Sequence, residues 1–354
     1  MFSHCQKPAL GALAAVALAC TGVPAHALTF TFQDIINNND VTFNQELGIN
    51  SSGMIAGYFG SGAAGFPNKG YTVVPPYGQA NFTNENFFTV TPPITSVQTQ
   101  VTGLNNIGTT VGFWSDTNMG VGMDSNFGFT NVGGVFTNVN NPATPAATPS
   151  FNQLLGVNNS NVAVGFYTDA MGVNHGYTYT ISSQTFSPNI NDPNANPNAG
   201  GTTAAAINNA GEIAGFYTDT NGNTDGFVYD PVTNMFTTLD AAGAMDTSLL
   251  GLNDLGEAVG FDVDATTGMH GIVCSVTALT CQEVDDPNGI GTTTFNGVND
   301  LGQVVGFYVN GAGNTIGLLA DPVPEPGSLA LLATGLFGIG VARRRRKTAQ
   351  PCSV

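Results

Sequence analysis

The chain has 354 residues, room for one large domain or two small ones, yet only 9% of them are charged, against about a quarter in an average globular chain. The formal net charge is −17, with seven Lys and Arg against 24 Asp and Glu, and five of those seven cations stand together at Arg343–Lys347. A body so poor in cations repels nucleic acid and anionic headgroups, which excludes nucleic-acid partners, and its 46 glycines favour short strands and tight turns over long helices.

Residues 1–27, MFSHCQKPALGALAAVALACTGVPAHA, open with Lys7, continue through an unbroken small-apolar run from Ala9 to Ala19, and end in Ala25-His26-Ala27. This is the order of a secretory signal peptide, and the run is too short to serve as a membrane span. Acylation at Cys20 is disfavoured, because Ala17-Leu18-Ala19 is a poor lipobox. Export carries the rest of the chain into a setting where disulfides persist.

From residue 28 to 321 the chain repeats itself. GINSSGMIAGYF begins at Gly48, GLNNIGTTVGFW at Gly103, GVNNSNVAVGFY at Gly156, AINNAGEIAGFY at Ala206, GLNDLGEAVGFD at Gly251 and GVNDLGQVVGFY at Gly297. The anchoring asparagines Asn50, Asn105, Asn158, Asn208, Asn253 and Asn299 are spaced by 55, 53, 50, 45 and 46 residues. In each unit an apolar strand ends at the Asn, and a short turn follows with Gly at its fourth place. In the third unit that place is Asn161, the non-Gly residue that best tolerates positive φ, so a left-handed turn is predicted there. The returning strand reads apolar-Gly-aromatic, and its Gly predicts close approach of a second backbone near a common axis.

A second hairpin completes each unit. In the fourth, TDTNGNTDG from Thr218 is turn chemistry, GFVYD from Gly226 a third strand and MFTTLD from Met235 a fourth. Four short antiparallel strands repeated six times predict an all-β fold, a six-bladed β-propeller. Fourth strands centre on Phe87, Phe136, Phe186, Phe236 and Cys281, one too few for six units. Phe32-Gln33-Asp34-Ile35 resembles Phe136-Thr137-Asn138-Val139, so the N-terminal strand is expected to complete the last blade and close the ring. Cys274 and Cys281 stand where other units carry Tyr229 and Phe236, and a disulfide across that hairpin is expected.

Several residues invite chemistry. His175 and His270 lie on different units, so they are not expected to meet in a triad. Asp254 and Asp300 occupy equivalent inner turns and would be the acid pair of a propeller glycosidase, although Ser51, Asn106, Asn159 and Asn209 there fit plain turn propensity. Asp219, Asn221, Asn223 and Asp225 alternate like the first four ligand places of a calcium loop, without its glycine or closing glutamate. Calcium is thus the one cofactor the sequence suggests. Tyr58, Phe113, Phe166, Phe216, Phe261 and Phe307 recur once per unit, which predicts packing between blades, and Trp114 is the one tryptophan, expected at a partly buried rim.

Residues 322–354 contain Pro324-Glu325-Pro326, a short apolar stretch from Ser328 to Ala342 expected as a single helix, and the cluster Arg343, Arg344, Arg345, Arg346 and Lys347. Cations behind an apolar segment hold its end on the cytoplasmic side. The three parts in this order resemble the PEP-CTERM sorting signal. That resemblance implies a Gram-negative exporter that makes exopolysaccharide, processing by an exosortase, and delivery to the cell surface or extracellular matrix after transient anchoring in the inner membrane. The repeat cores, such as Asn174-His175-Gly176-Tyr177 and Met269-His270-Gly271-Ile272, are also similar to the HAF-type repeats of bacterial extracellular proteins. The expectation is a non-catalytic structural or adhesive protein with exopolysaccharide as partner. A carbohydrate- or calcium-binding propeller module and a glycosidase- or lyase-like enzyme are the alternatives.

Overall fold

A computed structural model describes residues 29–146 and 149–323. The expected signal peptide, Pro324-Glu325-Pro326, the expected C-terminal helix and the Arg run lie outside them. Among the described residues no helix is long and apolar enough to cross a membrane.

The fold grows from the Asn turns. Asn50 Oδ1 accepts the main-chain N–H of Ser52 and of Met54, both at 3.0 Å, and its main chain pairs with Gly53 and Met54. The fourth turn residue has positive φ in every repeat: 78° at Gly53, 84° at Gly108, 56° at Asn161, 89° at Gly211, 76° at Gly256 and 74° at Gly302. The amide of each Asn then donates to the carbonyl of the Asn in the next repeat, at 2.9–3.4 Å, and Asn299 donates to Asn50. The six repeats therefore close into a ring, and each link buries an amide that the next backbone satisfies.

Each first strand carries a bulge just before its end, at Leu47, Thr102, Leu155, Ala205, Leu250 and Asn296. Those six residues line the axis together. Beside them each first-strand glycine meets the first strand of the next repeat around the ring; a Cβ on Gly103 would stand 2.9 Å from Gly156 Cα. The second-strand glycines act differently from expectation. A Cβ on Gly112 would fall 2.0 Å from Gln100 O of its own sheet, so these glycines serve strand pairing within a blade and not the axis.

Four repeats stand as separate four-stranded antiparallel sheets. The sheet of the sixth repeat joins Thr294–Val298, Val304–Val309 and Thr315–Pro322 to the N-terminal strand Phe30–Ile35, which pairs with Thr315–Pro322 from Phe30↔Pro322 to Ile35↔Gly317. Closure by the N-terminal strand is thus as expected. Six separate blades are not found: the third and fourth repeats share one eight-stranded sheet, stitched by the parallel pairs Val173↔Gly200 and Asn174↔Gly201. Gly200 and Gly201 have φ of 69° and 78°, a path open to glycine that brings this backbone onto the preceding repeat.

Two further expectations are corrected. The fourth strand of the first repeat is Phe82–Asn84; Phe87 lies beyond it, fully buried, its ring stacked on Trp114 at 4.4 Å. The aromatics that fill the spaces between sheets are Tyr71, Phe129, Tyr177, Phe227 and Phe295, whereas Phe113, Phe166, Phe216, Phe261 and Phe307 are half-buried. The interfaces are mainly apolar. At the closing seam Ile35, Val305 and Leu319 pack on Ile49, Ile55 and Tyr71. Cys274 and Cys281 face each other in register with their sulfurs 2.03 Å apart.

Candidate functional site

First strands run toward the Asn turns and second strands run away from them, so the ring has an asparagine face and an opposite face. On the opposite face a cleft of about 430 Å³ opens among the first three repeats. Its walls come from two long connections. Second and third strands are joined by residues 60–68 in the first repeat and 116–126 in the second, against 169–172, 219–223, 264–268 and 310–314 in the others.

The cleft floor combines aromatic rings with amides. Gln45, Gln100 and Gln153 sit on the first strands opposite Tyr58, Phe113 and Phe166. Tyr58 OH donates to Gln45 Oε1 at 2.6 Å, Gln100 Nε2 to Asn68 Oδ1 at 2.9 Å, and Gln153 Nε2 to Asn126 Oδ1 at 2.7 Å. Each glutamine is thereby oriented. Phe43, Phe113 and Phe151 add half-buried rings to the lining. Below Gln100 and Gln153 the cleft continues into the axial channel past Thr102 and Leu155. The other half of the ring carries Thr203, Ser248 and Thr294 in place of the three glutamines.

Asp124 is the single carboxylate of the cleft lining. It accepts hydrogen bonds from Thr117 Oγ1 at 2.5 Å, Gln98 Nε2 at 2.9 Å and the main-chain N–H of Met119 and Gly120. Burial alone would raise its pKa, but these donors outweigh burial and hold it below the ordinary carboxylate value. Its role is to fasten the 116–126 connection. Trp114 is buried, with Nε1 donating to Asn138 Oδ1 at 2.9 Å, so it is a wall element and not an exposed platform.

The residues singled out in the sequence fall elsewhere. Asp254 and Asp300 belong to a second ring around the axis. The N–H of Ser51, Asn106, Asn159, Asn209 and Asp254 each donates to the side chain at the same place in the next repeat, at 2.7–3.0 Å, and Ser51 Oγ reaches Asp300 Oδ2 at 3.4 Å. The two carboxylates are neighbours, but they are acceptors of structural bonds. Asp219 accepts the N–H groups of Asn221 and Asn223 at 2.7 and 2.9 Å, and Asn221 Nδ2 at 2.9 Å. Asp225 sits on the third strand opposite Tyr217. Among the described residues no group of three or more His, Cys, Asp or Glu is placed to hold a metal.

His175 and His270 are on separate repeats, as expected. His175 lies 3.2 Å from both Asn191 Oδ1 and Asp169 Oδ2. His270 Nδ1 is 2.7 Å from Asp285 Oδ2 and its Nε2 is 2.8 Å from Thr267 Oγ1. This chain has the form of a triad, but the Thr267 hydroxyl donates to Asp264 Oδ2 and has no proton left for the histidine. Opposite His270 is Asp262, fully buried where the other repeats carry Phe59, Trp114, Tyr167, Tyr217 and Tyr308. Its Oδ1 has no hydrogen-bond partner. Burial first, and then the charge of Glu283, push its pKa up to about 6 against the opposing pull of His270.

No curated protein matches the chain. Among solved structures, one of a protein of unknown function from Dyadobacter fermentans is 10% identical with a TM-score of 0.52, over 85% of this chain and 100% of that one. AofleA from Arthrobotrys oligospora is 10% identical at 0.47, over 84% and 90%. A PL25 ulvan lyase is 11% identical at 0.42, over 79% and 78%. At such identities the likeness is one of fold, and it rests on the first of the three. The model of a family described as the PEP-CTERM protein-sorting motif matches residues 322–347, beginning at the final residue of the last strand of the ring. That tail is a PEP-CTERM sorting signal, which indicates an exported protein sorted by an exosortase.

Proposed function

We propose that the mature protein is a non-catalytic component of the cell surface or extracellular matrix that holds uncharged exopolysaccharide in the cleft. In this reading the eight-stranded sheet is two blades stitched at one edge, the body is a six-bladed propeller with HAF-like repeats, and Cys274–Cys281 is a disulfide staple. The observation that carries the proposal is the cleft itself: three half-buried rings beside the oriented amides of Gln100 and Gln153. Rings offer apolar faces to sugar C–H groups and amides offer paired donors and acceptors to hydroxyls, the mixture expected of a small-ligand site. The only carboxylate there is committed to fastening a loop, which leaves no evident acid–base pair. The acidic body disfavours anionic polymers.

The test is a glycan array followed by calorimetry on the mature body. Neutral polysaccharides should bind and uronate polymers should not. Phe113→Ala and Gln100→Ala should each weaken binding by about tenfold or more, the scale of one lost anchor. Unchanged affinity in both variants, or cleavage of the bound polymer, would overturn the proposal.

A further inference from the structure

We infer that, while the sorting tail is attached, the body stands at the membrane with its asparagine face toward the lipid and its cleft turned away. The reasoning starts at the last strand. Thr315–Pro322 runs toward the Asn turns: Gln303 Nε2, in the last turn, donates to Asp321 Oδ1 at 2.7 Å, and the side chain of Pro322 lies against Gly302. The N-terminal strand starts at the same corner, with Phe30 opposite Pro322 and Val323 N–H donating to Thr29 O at 2.8 Å. Both ends of the body therefore leave by one face, and the cleft opens on the other.

The tether is short. Residues 323–327 separate the sheet from the apolar stretch that begins at Ser328, and five extended residues span at most about 17 Å. Nor can the sheet lend slack, because the last strand is paired to Val304–Val309 as far as Ala320 and to Phe30–Ile35 as far as Pro322. The face so held is unlike the cleft. Three of its turn tips are exposed apolar residues, Ile107, Leu255 and Leu301, while Asp254, Asp300 and Asp321 on the same side resist collapse onto anionic headgroups. Two consequences follow. Polysaccharide reaches the cleft before the tail is cut, and the cut leaves the ring whole, because the sheet ends before the motif's Pro-Glu-Pro.

The inference rests on the proposed anchoring by residues 328–342, and the experiment separates the two. The full chain, with Cys352→Ser and its signal peptide removed, is reconstituted into vesicles of phosphatidylethanolamine and phosphatidylglycerol. A bimane label is placed at Ile107→Cys or, on the lip of the cleft, at Val121→Cys; both side chains are exposed, so either label leaves the core untouched. Nitroxide lipid should extinguish fluorescence at position 107 and leave 121 at the level of the tail-less control. Equal quenching at the two positions on chains that float with the vesicles overturns the orientation alone. Chains that fail to float overturn the anchoring and the orientation with it.

Discussion

The two faces of the ring are made from opposite ends of the same strands, yet they obey different rules. On the asparagine face every repeat does the same thing: an Asn caps its own turn and passes its amide to the next repeat. On the cleft face the repeats diverge, with long connections at 60–68 and 116–126 and short ones elsewhere, and with Gln45, Gln100 and Gln153 giving way to Thr203, Ser248 and Thr294. The contrast has a physical cause. A closed ring needs every junction to have the same geometry, so the residues that make junctions cannot vary without opening it. Connections at the far ends of the strands carry no such constraint, and a one-sided ligand site requires that they differ.

That contrast is open to attack in order of expected effect. Deleting residues 29–35 removes the strand that closes the ring, the buried Ile35 with it, and uncovers Val305 and Leu319; loss of a cooperative melting transition is expected, and a normal transition would mean the ring does not depend on closure. Asn158→Ala breaks two bonds within its turn and one to Asn208, which should cost about 3 kcal/mol by denaturant titration. Gln153→Ala on the cleft face should cost little in the same assay while weakening glycan binding. If the two variants destabilise equally, the division of labour between the faces is wrong.

The Cys274–Cys281 pair is a departure from uniformity within the fifth repeat. Its loop is small, so reduction should cost about 2–3 kcal/mol and leave glycan binding intact. The smallest effect concerns Asp262. Its folded pKa, about 6, lies above the ordinary 3.8. The folded state therefore binds its proton more tightly, and the stability this supplies is full below 3.8 and lost as pH rises through about 6. His270, also shifted upward because its bonds to Asp285 outweigh the effect of burial, works in the same sense. Asp262→Asn should flatten the fall in melting temperature across that window. A steeper fall in the variant would show that the carboxylate is favoured in its charged form.

Much of this was legible in the residues. The Asn161 substitution announced a left-handed turn, the surplus FQDI strand announced closure, and the positions of Cys274 and Cys281 announced their register. The cleft was half-legible: the spacings of 55 and 53 against 45 and 46 residues recorded the extra loops, but nothing in a spacing says what two loops enclose. Asp262 was visible as the one break in the aromatic pattern, though not as a buried partner of His270. Glu46 left no mark at all. It sits where the other repeats have Val101, Leu154, Ala204, Leu249 and Phe295, fully buried at the closing seam, with Tyr71 OH donating to its Oε1 at 2.8 Å. Burial pushes its pKa well up.

By itself the sequence determined the local and periodic properties: turns, strands, repeat number and the sorting tail, with the surplus first strand left over from the repeat count. These follow from backbone preference and short-range patterning, which act over a few residues and survive without the rest of the fold. Tertiary structure alone decided that the third and fourth repeats merge, that Phe87 serves Trp114 instead of a strand, that Asp254 and Asp300 spend their oxygens on a ring of bonds, and that cleft and tail lie on opposite faces. Those outcomes depend on distances between residues far apart in the chain, and only closure of the ring sets them.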